Sequence, residues 1–152
     1  MVNSFISYAV EDKEMAEKLH YAMTRAGIET FMAGISIEPG ERWTEVIFEK
    51  LREAKWVFFL ASKISCDSKA VQQELGGALV QQKTIVPLLI DISPEELPGW
   101  IDRHQAIDIK QAPEKLHKAI ENVAERIKID KFWAGVVVGA LVFLLILYLK
   151  ES

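Results

Sequence analysis

Short apolar runs alternate along the chain with segments in which apolar residues recur at helical spacing. Five runs are predicted to be β-strands: 4–8, 28–32, 55–62, 84–90 and 105–109. In the first helical segment Met15, Leu19, Met23 and Ala26 fall on one face, and Gly27 stands where a C-cap glycine ends a helix. This alternation predicts an α/β fold with five parallel strands and helices on both faces of the sheet. Ligands of such sheets bind outside the carboxyl ends of the strands.

Three further helices are predicted from the same pattern. They are one with Trp43, Ile47 and Leu51 on its inner face, one from Asp67 or Ser68 to about Gln82, and one that Pro113 opens. The third strand, "KWVFFLAS", is apolar almost throughout, which is typical of a parallel strand that is covered on both faces. We therefore expect this strand near the middle of the sheet.

The C-terminus departs from this pattern, because no residue in 132–149 is charged. At a rise of 1.5 Å per residue this segment spans about 27 Å, close to the ~30 Å hydrocarbon core of a bilayer. A small domain could not surround so apolar a helix on all sides. Trp133 and Tyr148 near its ends suit the membrane interfaces, and Lys131 and Lys150 close it. The segment is predicted to be a transmembrane helix.

The chain is therefore predicted to consist of a globular domain at 1–127, a short linker at 128–131 and a C-terminal tail anchor at 132–149. The N-terminus lacks the basic start and the apolar stretch of a secretory signal. Three basic residues lie shortly before the span and one follows it. This bias predicts a single-pass membrane protein whose globular domain lies in the cytoplasm.

Composition and charge argue against several classes of function. The net charge is −4 and no basic residues cluster along the sequence, so no nucleic-acid partner is expected. The single cysteine, Cys66, cannot form an internal disulfide, and no neighbouring base marks it as a nucleophile. His20, His104 and His117 lack zinc-ligand spacing, so no metal site is predicted. Neither of the glycine-rich phosphate-binding motifs is present.

An acidic residue, Glu74, borders the apolar face of the helix predicted after the third strand. On a helical wheel Val71, Leu75 and Ala78 lie within about 60° of one another, and Glu74 lies about 40° beyond Ala78. Gly76 and Gly77 follow in the same helix and each weakens it by roughly 1 kcal/mol relative to Ala, a cost that is easier to understand if the backbone must approach something closely there. Two interpretations remain open: a boundary glutamate that reaches water, or a carboxylate held at the ligand-binding crevice.

Five motifs occur in an order that resembles a Toll/interleukin-1 receptor (TIR) domain: "FISY", "IEPGERW", "VFFLAS", "QQEL" and "IVPLLID". The resemblance covers roughly residues 1–127. It implies a flavodoxin-like arrangement of five parallel strands. Many TIR domains cleave NAD+ at the bond between nicotinamide and ribose, with an essential acid in the helix after the third strand, and Glu74 matches that acid. The resemblance further implies activation by self-association and a role in defence or cell-death signalling.

The resemblance also implies roles for other residues of the site. Ser7 and Tyr8, at the end of the first strand, are expected to line the pocket, and Phe31, at the end of the second, to contact the nicotinamide end. Trp43 is a candidate either for stacking on a ring of the substrate or for packing. NAD+ would be the substrate, and neither a resident cofactor nor a metal is expected.

One position departs from the pattern of the catalytic TIR domains. These commonly carry a Trp four residues before the acid, and this chain has Ala70. Three alternatives follow: Trp43 supplies the missing ring, a neighbouring protomer completes the site, or activity is low. The competing hypothesis is a non-catalytic scaffold that assembles at a membrane through homotypic contacts of the loop at 33–41. Such a scaffold has no need for Glu74, so the sequence favours the enzyme.

Overall fold

A single parallel sheet organises the part of the chain that the computed structural model describes, residues 2–35, 45–69, 72, 75–76, 82–99, 101 and 105–151. Its strands are β1 (Ser4–Ala9), β2 (Thr30–Ile35), β3 (Trp56–Ala61), β4 (Thr84–Leu89) and β5 (Ile107–Asp108). The strand order is β2-β1-β3-β4-β5, and every neighbouring pair is parallel. This is the flavodoxin-like order, which confirms the predicted fold.

The strand ends agree with the predicted ones to within one residue for β1, β3 and β4, but not for the other two strands. β2 begins at Thr30 rather than at Ile28, because the Ile28 amide donates to the Met23 carbonyl at 3.0 Å and so belongs to the cap of the preceding helix. β5 is only two residues long. The carboxylate of Asp108 accepts the amides of Lys110 and Gln111, both at 3.0 Å, and this turn ends the strand.

The helices of the described residues are α1 (Lys13–Arg25), α2 (Glu45–Glu53), the short α3 (Lys63–Asp67) and α4 (Pro113–Glu151). Pro113 opens α4 as predicted. Gly27 has a φ of 83° and ends α1 with its amide donating to the Thr24 carbonyl, again as predicted. α3 was not predicted. After it Lys69, Gln72, Leu75 and Gly76 are helical, and Gln82 lies in a turn with a φ of 58°.

Two hydrophobic cores cover the two faces of the sheet, because successive residues of a strand point to opposite faces. The first core packs Phe5, Val57 and Phe59 against Leu51 of α2 and the helical Leu75. The second packs strand residues against α1 and the first half of α4, and it contains Ile6, Tyr8, Phe58, Met23 and Ile120. All residues of β1 and β3 are buried, as expected for central parallel strands.

α4 continues from the domain into the apolar C-terminal segment as one helix. Ile120, Val123 and Ile127 bury its first half against the sheet, whereas the helix is exposed beyond Ile127. Residues 128–131, predicted to be a linker, are helical, since neither Gly nor Pro interrupts them. Among the described residues this helix is long and apolar enough to cross a membrane, and its most apolar stretch is entirely unburied.

Candidate active site

Ser7 lies in the central strand β1, in register with Ala33 of β2 and Phe59 of β3. It lies on the same face as Phe5, which is the face that Leu51 and Leu75 cover. Ser7 is fully buried. Its hydroxyl oxygen has no hydrogen-bond partner, and among the described residues it is the one buried side-chain polar atom of which this is true. Buried hydroxyls are normally paired, so the Ser7 hydroxyl is an unsatisfied polar group on this face of the sheet.

Tyr8, the next residue, lies on the opposite face of the sheet and packs with Ala16 and Leu19 of α1. A Cβ on Gly34 would lie 3.1 Å from its hydroxyl oxygen, so the glycine leaves room for the ring. Burial, and to a smaller extent the charge of Glu17, raises the pKa of Tyr8 above its ordinary value, so the phenol is neutral near pH 7. The two adjacent residues expected to line one pocket therefore lie on different faces.

Phe31 is not at the carboxyl end of its strand, where the sequence placed it. β2 begins at Thr30 and runs to Ile35, so Phe31 is its second residue. Four residues of strand, about 13 Å, separate it from the carboxyl end. Its ring stacks on Phe5 with the centroids 5.8 Å apart and the planes 30° from parallel. The expected position is therefore wrong, and the proposed contact with nicotinamide stays a prediction.

Three residues of the predicted site, Trp43, Glu74 and Ala70, lie outside the described residues, as does most of the loop at 33–41. Next to Glu74 in the chain, Leu75 is helical and only 2% exposed, in the core that also contains Phe5. The helix predicted after β3 is therefore present at this point of the chain, on the face of the sheet that carries Ser7. The catalytic role of Glu74 stays a prediction.

A hydrogen-bonded pair that the sequence analysis missed joins the turns that follow β1 and β3. The hydroxyl of Ser62, which is 2% exposed, donates to Asp12 Oδ2 at 2.6 Å. The same oxygen accepts the Ser65 amide at 3.1 Å, and the Ser62 amide donates to Ser65 Oγ at 2.8 Å. This reciprocal pair caps α3. The serine spacing S-x-x-S after an apolar strand is the signal that could have predicted this cap.

The carboxyl end of the sheet is acidic around this pair. Burial raises the pKa of Asp12, the hydrogen bond from Ser62 opposes that rise, and the nearby charges of Asp91 and Glu11 add to it. Asp91 follows β4, and its Oδ1 accepts the amide of Lys63 at 3.0 Å. The turns after β1, β3 and β4 are thus held together by carboxylate hydrogen bonds.

Neither thiol chemistry nor a metal centre is built into the described residues. Burial raises the pKa of Cys66 to about 11, so its reactive thiolate is scarce near pH 7. Within the described ranges no group of three or more His, Cys, Asp or Glu side chains is placed to hold a metal ion.

These features define a flavodoxin-like α/β domain with a polar carboxyl edge, and comparison with known proteins shows its family. A family model for the TIR domain matches residues 5–123, so the chain belongs to the TIR domain family. The chain is 32% identical over 95 residues to a probable 2' cyclic ADP-D-ribose synthase of Brachypodium distachyon. The aligned part is 61% of this chain and 42% of the relative, so the chain spans about two-fifths of that protein's length.

Solved structures of other TIR domains share the fold. The TIR domain of the Toll-related receptor TRR-2 from Hydra magnipapillata is 22% identical with a TM-score of 0.61, over 79% of this chain and 98% of that one. The TIR domains of the activated Roq1 resistosome are 20% identical with a TM-score of 0.56, over 82% and 84%. The RPS4 and RRS1 TIR domain heterodimer is 14% identical with a TM-score of 0.55, over 82% of this chain and 99% of that one. At these identities the likeness concerns the fold alone.

Proposed function

We propose that this chain is a TIR enzyme that cleaves NAD+ between nicotinamide and ribose, releasing nicotinamide and either ADP-ribose or a cyclic isomer of it. The observation that carries the proposal is the 32% identity to the probable 2' cyclic ADP-D-ribose synthase over 95 residues. The proposal needs no metal and no resident cofactor, because NAD+ is itself the substrate.

Glu74 is the proposed catalytic residue. Cleavage of the ribose–nicotinamide bond develops positive charge on the sugar, and a carboxylate held near the ribose stabilises that charge. The same carboxylate oxygens can accept hydrogen bonds from the ribose hydroxyls. Nicotinamide leaves as a neutral ring, so its departure requires no general acid.

The Ser7 hydroxyl supports a ligand site on this face of the sheet. A buried hydroxyl without a partner costs about 1–3 kcal/mol, and a ligand that hydrogen-bonds to it recovers that cost. Ser7 is such a group, and it lies on the face that the helical Leu75 covers. Ser7 is therefore the described residue that most directly supports substrate binding there. Tyr8 and Phe31 stay in the proposal as candidate contacts only.

The aromatic wall of the proposed pocket is incomplete, because Ala70 stands where catalytic relatives commonly have Trp. Either Trp43 supplies the ring, or a second protomer does, or turnover is low. A second candidate function, a scaffold that works through TIR–TIR contacts of the loop at 33–41, is favoured by this alanine. Two of the similar structures are TIR assemblies, a resistosome and a heterodimer. Glu74 favours the enzyme, because a scaffold does not require it.

We place the enzyme at a membrane in this proposal, with α4 as a single-pass anchor and the TIR domain in the cytoplasm. The apolar stretch of α4 is unburied, as a lipid-facing helix requires. Gly135 and Gly139 lie four residues apart on one helix face, and nothing lies within 4 Å of a Cβ added at either. Two such helices can pack closely in lipid, which would bring TIR domains together. Clustering would then activate cleavage, in a defence or cell-death response.

The test is incubation of the full chain with NAD+ in detergent micelles at high protein concentration, with the products separated by chromatography. We expect free nicotinamide together with ADP-ribose or a cyclic isomer. NADH is the matched control substrate, because its dihydronicotinamide would have to leave as an anion, and we expect it to remain intact. If NAD+ stays intact in the presence of folded protein, the enzymatic function is contradicted. The scaffold is then the remaining candidate function.

A further inference from the structure

In the part of the chain that the structure describes, basic and acidic side chains are segregated between the two ends of the sheet. Eight basic and four acidic residues lie near the amino ends of the strands, in the ranges 25–30, 50–56, 82–84 and 125–131. Four basic and nine acidic residues lie near the carboxyl ends, in the ranges 10–14, 62–67, 90–97 and 108–115. A chain with a net charge of −4 therefore has one basic end, assembled from segments that are far apart in sequence. We call it the basic end.

The basic end is also the end from which the apolar part of α4 leaves the domain. α4 begins after β5 at the carboxyl end of the sheet and runs back along it to Ile127, its last buried residue. There Lys55, which precedes β3, pairs with Asp130 of α4 at 3.3 Å. The helix is unbroken at this point, so the apolar span extends from the domain at the basic end.

The distance between the domain and the apolar stretch matches the headgroup layer of a bilayer. Phe132 lies five helical positions after Ile127, a rise of about 7.5 Å. Each headgroup layer is about 5–8 Å thick. A cavity of about 410 Å³ lies between the domain and the apolar stretch, and its lining includes Trp56 of the domain and Ala134 of the apolar stretch. With the apolar stretch in the hydrocarbon, the basic end lies at the level of the lipid phosphates.

We infer that the basic end docks on an anionic phospholipid surface and holds the carboxyl ends of the strands toward water. Lysines and arginines near such a surface attract it, whereas the acidic carboxyl end is repelled. The orientation leaves the proposed NAD+ site open to the aqueous side. This inference rests on the proposed membrane anchor and is independent of NAD+ cleavage.

The test uses the full chain with Cys66 replaced by Ser and one fluorophore, attached through Thr24→Cys at the basic end or through Gln111→Cys at the carboxyl end. Both Thr24 and Gln111 are exposed. The protein is reconstituted into phosphatidylcholine vesicles with and without phosphatidylglycerol, each carrying a headgroup-attached quencher. Flotation of the vesicles tests the anchor separately.

We expect quenching at residue 24 and little at residue 111, and stronger quenching at residue 24 when phosphatidylglycerol is present. Arg25→Gln with Arg52→Gln should remove at least about half of the quenching at residue 24 in the anionic vesicles. The matched double variant at the other end, Lys63→Gln with Lys110→Gln, should leave it unchanged.

Three results would overturn the inference. Equal quenching at the two labels refutes the orientation. Electrostatic docking is refuted if the quenching at residue 24 is the same with and without phosphatidylglycerol and is unchanged by the two arginine substitutions. If the chain does not float with the vesicles, the membrane anchor is refuted, and this inference with it. That result does not bear on NAD+ cleavage, which is tested by its own assay.

Discussion

Replacement of Ser62 by Ala is expected to weaken the carboxyl end of the sheet, because one hydroxyl connects two turns there. Ser62 is 2% exposed, accepts the Ser65 amide at 3.1 Å and donates to Asp12 Oδ2 at 2.6 Å. Loss of an N-cap costs about 1 kcal/mol, and loss of a hydrogen bond to a charged group costs about 1.5–3 kcal/mol. Since Asp12 is only half-buried, we expect a loss of about 2–4 kcal/mol of unfolding free energy.

The effect of Ser62→Ala should depend on pH, because Asp12 is a carboxyl whose pKa burial raises above 3.8. The stability that Asp12 contributes is therefore complete below pH 3.8 and falls as pH rises through its folded pKa. The hydrogen bond from Ser62 lowers that pKa, so its removal raises the folded pKa further and enlarges the loss at neutral pH. Ser62→Ala should therefore lose more unfolding free energy near pH 7 than near pH 4.

Thermal unfolding of the full chain in micelles, followed by near-ultraviolet circular dichroism, measures the effect. For a domain of this size we expect the unfolding midpoint to fall by on the order of 10 °C near pH 7. Ser93→Ala is the matched control, because Ser93 is an exposed cap of the 3-10 turn Pro94–Glu96, and its loss should cost below about 1 kcal/mol. Equal midpoints for the two variants, or a Ser62→Ala shift that is identical at the two pH values, would refute the reasoning.

Three other predictions concern glycines and the proposed pocket. Gly27→Ala must adopt a φ of 83° and should lower the free energy of unfolding by about 1–2 kcal/mol. Gly76 is helical and a Cβ there would meet nothing within 4 Å, so Gly76→Ala should raise the free energy of unfolding by up to about 1 kcal/mol. Thermal unfolding compares the two variants. Ala70→Trp should raise kcat/KM for NAD+ by restoring an aromatic wall, and an unchanged value in a folded variant contradicts that. Gly135→Ile with Gly139→Ile should reduce self-association in sedimentation and turnover per molecule, and identical behaviour would leave the span as a tether.

The fold could be predicted because its elements have strong local signals. The apolar run of β3 is typical of a doubly covered strand, and Gly27 marks the end of α1 because it adopts the left-handed conformation that ends a helix. Positions along the strands were less predictable, because hydrogen bonds outside the strand fix its ends. The cap of α1 takes Ile28 out of β2, and this moves Phe31 away from the carboxyl end.

The candidate site was only partly predictable, since its geometry depends on which turns the topology brings together. Ser7 and Tyr8 are adjacent in sequence, yet the alternation along a strand puts them on opposite faces. The bond between Asp12 and Ser62 joins residues 50 positions apart, so no local pattern pairs them. The basic end has the same origin, because parallel strands with returning helices gather the ends of separate helices at one edge.

The most direct test of the central claim compares Glu74→Gln with Glu95→Gln in the NAD+ assay. Glu95 is an exposed carboxylate in the turn after β4, so its variant controls for the loss of one negative charge. If Glu74 stabilises the developing charge on ribose, Glu74→Gln should lose at least about 100-fold in kcat with its fold intact, and Glu95→Gln should match the unmodified chain. Unchanged release of nicotinamide by a folded Glu74→Gln variant would contradict the account.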